Sequence, residues 1–204
     1  MLFNLIRLST VSPGGARHFS STRFVSNSRS SYVPMHRSFP ATLYRFQVCR
    51  ESRLFDRAIE HDHWEGSDGV ELSRDGLVHP HVAKGNPWKS NGALFMPNTH
   101  FMQEITRMSY DNYMEGLDNG QPPSEPHYLC IPKGTTLPPS LTLYREYASR
   151  FTLQPSLPMS LDALNQTLTQ FYRESGCVIS APDWLDKNPY SEAGFDDEEG
   201  WMEK

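Results

Sequence analysis

The sequence lacks the features that mark membrane spans, disulfide frameworks and common nucleotide sites. In 204 residues, no apolar run approaches the roughly 18 residues of a membrane-spanning helix. Three cysteines cannot all pair and share no metal spacing, so they fit a reducing compartment better than a secreted framework. P-loop, GxSxG, HExxH and Rossmann glycine motifs are also missing. What remains is a chain long enough for one ordinary core.

Acidic residues are absent from the first 50 positions, which carry seven arginines. An arginine-rich, serine-rich start without acids is typical of a mitochondrial presequence. Arg17-His18-Phe19-Ser20 resembles a matrix-protease site, with the arginine two residues before Phe19 and cleavage after Phe19. The sequence therefore predicts a presequence-like, disordered basic arm over residues 1–37 and a mitochondrial location. A disordered arm on a cytoplasmic protein is the alternative.

All 24 acidic residues lie after position 50, so the chain without its arm is strongly acidic. Binding to nucleic acid by phosphate neutralisation then loses its main driving force, and we expect no nucleic-acid partner. The run Asp196-Asp197-Glu198-Glu199 predicts a solvated acidic tail over residues 181–204. Contact of this tail with a basic partner is the alternative.

Between the two ends, the pattern alternates short extended segments with two main helices. Strands are predicted over residues 41–48, 75–79, 92–96 and 127–131, with one or two more over 141–153. Asn98 is a candidate N-cap for a helix to about residue 115, and Ser160 begins a second helix that Gly176 ends. Residues 50–73 read as a short helix and a loop. This pattern indicates an α+β domain over residues 38–180, with small mixed or antiparallel sheets.

Five spaced groups of residues resemble a known family in their order along the chain. They are Thr42-Leu43-Tyr44-Arg45, Asp75-Gly76-Leu77, Asn91-Gly92-Ala93, Ile131-Pro132-Lys133-Gly134 with Leu137-Pro138-Pro139, and residues 151–159. Together they resemble the toxin domain of type VI secretion effectors of the ADP-ribosyltransferase type, a family written here as Tse-two-like, and its fungal homologues. The resemblance covers residues 41–176. It implies a single ADP-ribosyltransferase-like domain that uses NAD as substrate, with an unknown acceptor and room for an immunity-like protein partner.

The resemblance also assigns residues to a dinucleotide cleft. Arg45 matches the position where the family's arginine holds the pyrophosphate, a task that suits a bidentate guanidinium. Asp75-Gly76 and Gly92-Ala93 match segments that line the cleft, where Gly92 would let the backbone approach a ligand closely. Tyr44, Phe95 and Tyr128 are candidates for a stacking wall against nicotinamide, and core packing is their alternative use.

Catalytic residues are harder to assign. Glu146 is the nearest carboxylate by position, with an exposed ion pair to Arg145 as its alternative role. Gln154 matches the fungal pattern but has no proton to offer. Leu94 and Arg150 depart from the pattern, because many relatives carry a small hydroxyl residue and a histidine there. Two hypotheses follow: an NAD-dependent ADP-ribosyltransferase-like toxin domain, or a catalytically inactive relative that acts as a binding module.

Two pairs of histidines have a spacing that a metal ion could use. His61 with His63, and His79 with His81, lie two apart, a spacing that puts both side chains on one face of a strand. No cysteine or carboxylate pair completes a tetrahedral set near them in sequence. The sequence therefore predicts no metal site.

Overall fold

The computed structural model describes residues 33–47, 50–59, 69–82, 90–120, 124–146 and 149–194. These residues belong to one compact unit that spans Tyr32–Lys204. The presequence with its cleavage site, the pair His61 and His63, and the acidic run at 196–199 lie outside the described residues. The hypotheses about them stay predictions.

Three helices and several small sheets make up the described domain, which confirms the predicted α+β class. In chain order the elements are β1 (Met35–His36), β2 (Leu43–Gln47), β3 (Phe55–Asp56), β4 (Gly69–Val70), β5 (Ala93–Phe95), α1 (His100–Asp118), β6 (His127–Ile131), β7 (Leu141–Arg145), β8 (Phe151–Pro155), α2 (Leu161–Ser175), β9 (Cys177–Ser180) and α3 (Ala181–Lys187). A 3-10 turn, Tyr190–Glu192, follows α3.

Two sheets dominate the fold, and they meet at β5. The first has four strands in the order β1-β7-β8-β5, all antiparallel, and the second has three in the order β2-β6-β9, also antiparallel. Tyr44 of β2 exchanges two backbone hydrogen bonds with Met96, just after β5, at 2.7 and 2.9 Å. This link places the arginine of β2 beside the edge of the four-stranded sheet.

The main core lies between α2 and the apolar faces of both sheets. Its members on α2 recur at helical spacing, and they are Leu164, Leu168, Phe171 and Tyr172. Ser160 caps the helix by accepting from the Ala163 backbone N–H, and Gly176 ends it. A side chain at Gly176 would collide with Leu129 and with the Tyr172 carbonyl, so glycine is required for α2 to turn directly into β9. The predicted second helix is therefore confirmed at both ends.

A second, aromatic core lies on the other face of the three-stranded sheet, under α1 and α3. Trp184 of α3 is fully buried there and packs against Tyr128, with ring centroids 4.3 Å apart. Tyr44 meets the Trp184 ring edge-on at 5.6 Å. The folded domain thus continues past the predicted boundary at residue 180, because α3 supplies the side chain that closes this core.

Several local predictions differ from the structure. Residues 50–59 contain β3 rather than a helix, and β3 pairs in parallel with β4. The predicted strand at 75–79 is a turn flanked by single bridge residues, Leu72 and Val78. The N-cap of α1 is Thr99 rather than Asn98, because the Thr99 hydroxyl accepts from the Met102 backbone N–H. β1 lies within residues 1–37, which were predicted to be a disordered arm. The prediction was wrong there because β1 is held by pairing with β7, a long-range contact that local sequence does not reveal.

No helix in the described part of the chain is long and apolar enough to cross a membrane. Within the same residues, no three His, Cys, Asp or Glu side chains gather closely enough to hold a metal ion.

Candidate functional site

The two faces of the four-stranded sheet differ in chemistry. Because side chains alternate along a strand, Leu143 and Leu153 point into the main core while Thr152 and Gln154 point to the opposite face. The register places Leu94 beside Thr152 on this opposite face. The face opposite the core therefore carries buried polar side chains, Thr152 and Gln154, and we call it the polar face.

Glu146, which follows β7, anchors a hydrogen-bonded cluster on the polar face. The Thr152 hydroxyl donates to Glu146 Oε1 at 2.5 Å, and Gln154 Nε2 donates to Thr152 Oγ1 at 2.8 Å. Gln154 Nε2 also lies 3.5 Å from Glu146 Oε1. The other carboxylate oxygen, Oε2, is buried and has no hydrogen-bond partner. The protein thus fixes one oxygen of Glu146 and leaves the other without a hydrogen-bond partner.

Burial raises the pKa of Glu146 above its usual value. Hydrogen bonds from the Thr152 and Ser90 side chains act in the opposite direction, as does the positive charge of the buried Arg150. The alternative role was an exposed ion pair with Arg145, but Glu146 is partly buried and the positive charge that acts on its pKa is that of Arg150. The Arg145 guanidinium lies over the Phe151 ring, 5.8 Å from its centroid. Glu146 is a desolvated carboxylate of the kind that gathers at functional sites.

Gln154 is fixed from its other side by the loop before β5. The His81 backbone N–H donates to Gln154 Oε1 at 2.8 Å, and Gln154 Nε2 donates to the His81 carbonyl at 3.1 Å. That same carbonyl accepts from the Asn91 backbone N–H at 3.0 Å. Gln154 therefore acts as a brace: its two hydrogen bonds hold the loop at His81 against β8. This structural role suits a side chain that cannot act as a general acid.

Asn91 and Gly92 complete this brace. The Asn91 amide donates to the carbonyls of Glu71 and His79 and accepts from the Glu71 N–H. A side chain at Gly92 would meet the Leu153 carbonyl at 2.5 Å and Gln154 Cγ at 2.7 Å. Gly92 thus permits the close approach of β8, whereas the sequence suggested close approach of a ligand.

Arg45 lies on β2 next to the backbone of β5 and is almost fully covered, with 3% of its surface exposed. Its Nη1 donates to the Leu94 carbonyl at 3.4 Å, a long hydrogen bond. Gln47, two residues further along the same face of β2, is 6% exposed, and neither polar atom of its side-chain amide has a hydrogen-bond partner. The structure brings Arg45 close to the Gly92 segment and adds Gln47, which the sequence had not suggested.

Three predicted cofactor residues lie elsewhere. Tyr44 points to the face of β2 opposite Arg45 and belongs to the aromatic core with Trp184. Ala93 and Phe95 are fully buried in the main core, where Phe95 packs edge-on against Phe39 at 5.6 Å. The structure therefore gives these aromatic rings the packing role that was the alternative, and it shows no stacking wall formed by them.

Asp75 and Gly76 form an exposed turn that makes no recorded contact with the Glu146 cluster. The Leu77 N–H donates to Asp75 Oδ1 at 3.1 Å, His79 Nε2 lies 3.0 Å from Oδ2, and the Ser73 hydroxyl also donates to the carboxylate. Gly76 has a φ of +75°, a conformation that glycine adopts readily. These contacts, the Ser73 bond first, lower the pKa of Asp75 to about 2. Both residues are explained by the turn itself.

Sequence reasoning missed Thr152, Ser90 and the His81 backbone. A signal for Thr152 was available, because Thr152 and Gln154 alternate with Phe151 and Leu153 and so predict a strand with one polar face. The contact between His81 and Gln154 joins residues 73 positions apart, and no local pattern encodes it.

A polar groove of about 600 Å³ lies away from this cluster, along α2. Its lining includes Glu51, Asn165 and Arg173, and none of the polar-face residues belongs to it. Asn165 there holds the backbone of Leu54 through two hydrogen bonds of 2.8 and 2.9 Å. This groove is therefore separate from the polar face, and we do not assign the reaction to it.

Comparison with known families gives one match. A family model described as Tse2 ADP-ribosyltransferase toxin matches residues 41–184, a range that runs from the residues before β2 into α3 and contains Arg45, Glu146 and Gln154. No match was found among curated proteins.

Proposed function

The chain belongs to the Tse2 ADP-ribosyltransferase toxin family, and from that premise we propose that it cleaves NAD at the polar face and transfers ADP-ribose to an acceptor. The observation that carries this proposal is the cluster of Glu146, Thr152 and Gln154, with one carboxylate oxygen unoccupied. The family supports the type of reaction and the cluster supports its location.

Glu146 is the proposed catalytic carboxylate. When the bond between nicotinamide and ribose breaks, positive charge develops on the ribose, and a fixed negative charge stabilises that transition state. Thr152 holds one oxygen of Glu146 in place, so the free oxygen has a defined direction before substrate arrives. Such preorganisation costs no rearrangement at the moment of reaction.

Arg45 is the proposed anchor for the NAD diphosphate. Its guanidinium lies next to Leu94 of β5, whose cross-strand partner is Thr152 of β8. Glu146 follows β7, the next strand of the sheet, so β5 and β8 lie between the anchor and the carboxylate. The 3.4 Å bond to the Leu94 carbonyl is weak enough to be exchanged for two charge-assisted bonds to phosphate. The unpartnered amide of Gln47 offers a further donor and acceptor on the same face of β2.

The two departures from the family pattern have structural replacements. Leu94 lacks a hydroxyl, but its cross-strand partner Thr152 presents one on the same face. Arg150 replaces a histidine, and its charge favours the ionised form of Glu146. These replacements support an active enzyme over the inactive binding module.

The test is NAD binding by calorimetry and nicotinamide release by the purified chain. We expect the wild type to do both, and Arg45→Lys to weaken NAD binding about tenfold or more, because lysine cannot make the bidentate contact. Arg173→Lys is the matched control, since Arg173 is exposed and pairs with Glu51 at 2.8 Å outside the site. A wild-type chain that neither binds nor cleaves NAD would overturn the proposal in favour of the binding module.

A further inference from the structure

Two cysteines face each other across the central strand and one edge strand of the three-stranded sheet. Cys130 of β6 and Cys177 of β9 are directly opposite in the antiparallel register, and both are free thiols. Directly opposed residues project from the same face, with Cβ atoms about 4.5–5.5 Å apart, close to the 3.5–4.5 Å that a disulfide requires. The backbone thus already holds the two thiols near bonding distance.

The two thiols differ in accessibility. Cys177 is exposed, whereas Cys130 is only 7% exposed and has Tyr44 as its neighbour on β2. Burial, followed by the nearby Cys177, raises the pKa of the Cys130 thiol to about 12, and the charge of Lys187 acts against this rise. Cys177 is therefore the thiol that an external oxidant reaches first, and Cys130 is placed to respond.

We propose that Cys130 and Cys177 form a reversible cross-strand disulfide when the chain meets a low-molecular-weight disulfide of the oxidised-glutathione class. The Cys177 thiolate attacks the oxidant, forms a mixed disulfide and releases one thiol. Cys130 then loses its proton and attacks the Cys177 sulfur, releasing the second thiol. The two protein thiols supply two electrons, and the oxidant is reduced to two thiols.

The disulfide would fix the edge strand β9, which α3 follows directly in the chain. β9 is the outer strand of its sheet and pairs with β6 only. Its last residue, Ser180, caps α3 by accepting from the Asp183 N–H, so α3 and Trp184 follow directly from β9. Tying β9 to β6 therefore also holds α3 over the aromatic core, and we expect the oxidised chain to be more resistant to heat.

The experiment uses the full chain with Cys49→Ser, so that only the two opposed cysteines remain. After oxidised glutathione, we expect an intact mass lower by two hydrogens, a peptide linking Cys130 to Cys177, and a Tm higher by about 5–15 °C. Dithiothreitol should reverse all three changes. In Cys130→Ser with Cys49→Ser, we expect a stable glutathione adduct on Cys177.

Other outcomes count against the proposal. A glutathione adduct on Cys177 with both cysteines present, and no internal link, would overturn it. A disulfide between Cys130 and Cys177 that leaves the Tm unchanged would overturn the prediction that it stabilises β9 and α3. Because neither readout depends on NAD, failure here is distinguishable from failure of the proposed enzyme.

Discussion

Asp75 and Glu146 are carboxylates in opposite environments, although each accepts a hydrogen bond from a neighbouring hydroxyl. In the exposed turn, both oxygens of Asp75 have partners and its pKa falls to about 2. On the polar face, one oxygen of Glu146 has no partner and burial raises its pKa. Hydrogen bonding acts in the same direction at both sites, so burial decides the sign of the shift.

The contrast separates a structural carboxylate from one available for chemistry. Both oxygens of Asp75 already accept hydrogen bonds within its own turn. Glu146 keeps one oxygen unused at the cost of desolvation, a state that a fold tolerates where the oxygen serves a ligand. The family resemblance assigned Asp75 to the cleft, and Glu146 was the nearest carboxylate by position; of the two, only Glu146 has a carboxylate oxygen without a partner.

The largest expected effect is on the rate of NAD cleavage. Glu146→Gln keeps the shape of the side chain but removes its charge, so we expect nicotinamide release to fall about 10²–10³-fold. Asp75→Asn removes a charge from the turn, and there we expect a change within about twofold because exposed pairs contribute little. The measurement is nicotinamide release at saturating NAD for both variants and the wild type.

Circular dichroism and Tm of both variants serve as the folding control for this pair. Equal losses of activity in folded Glu146→Gln and Asp75→Asn would erase the distinction between the two carboxylates. Full activity in Glu146→Gln would remove it from the mechanism altogether.

The second effect tests how Thr152 tunes Glu146. Thr152→Val preserves volume but deletes the hydroxyl that donates to Oε1, so the pKa of Glu146 should rise further and the carboxylate should be less well oriented. We expect a loss of about 10-fold in NAD cleavage, with the acidic limb of the pH–rate profile moved to higher pH. The measurement is the pH dependence of nicotinamide release.

Thr142→Val is the matched control. Thr142 is buried on the same face, one strand away, and its hydroxyl lies 2.7 Å from the Ser156 hydroxyl and makes no recorded contact with Glu146. The acidic limb of the pH–rate profile of Thr142→Val should lie at the same pH as in the wild type. A limb that moves equally in both variants would show that the sheet, and not the Thr152 hydroxyl, sets the pKa.

Elements with local signals were predictable from sequence. The helix from Ser160 to Gly176 carries its cap, its apolar spacing and its terminating glycine within the segment itself, and β6 matches its predicted residues throughout. β1 and the parallel pair of β3 and β4 depend on partners far along the chain. The sequence did not predict α3, because this segment is rich in acidic residues and was assigned to a solvated tail. The burial of Trp184 depends on the aromatic core, which local sequence does not show.

The candidate site was predictable in outline. Arg45, Gly92 and Gln154 were named from the family pattern and Glu146 as the nearest carboxylate by position. The structure places the four on or next to β2, β5, β8 and β7, which are neighbours in that order. The pattern did not show that Gln154 braces the His81 loop, because that role rests on backbone atoms 73 positions away. It also did not show that Phe95 faces the core, which follows from strand register.

The smallest effect is on stability, where the two carboxylates should respond to pH with opposite signs. Folding raises the pKa of Glu146. The contribution of Glu146 to the free energy of unfolding is therefore favourable below its ordinary pKa of 4.5 and is lost as the pH rises. Asp75 has a lowered pKa, so its contribution is present above 3.8 and is lost as pH falls towards about 2. At neutral pH the first carboxylate therefore weakens the fold and the second supports it.

Thermal unfolding of Glu146→Gln and Asp75→Asn across pH measures this difference. At neutral pH we expect Glu146→Gln to have the same Tm as the wild type or a higher one, because a neutral amide is buried at less cost than a carboxylate. Asp75→Asn should have a Tm lower by no more than about 2 °C. The gain in Glu146→Gln should fade as the solution is acidified towards about pH 4, where wild-type Glu146 is itself protonated. The deficit in Asp75→Asn should persist there and shrink only at lower pH. If Glu146→Gln were instead less stable than the wild type at neutral pH, the carboxylate would be structural like Asp75, and its free oxygen would no longer indicate a place for substrate.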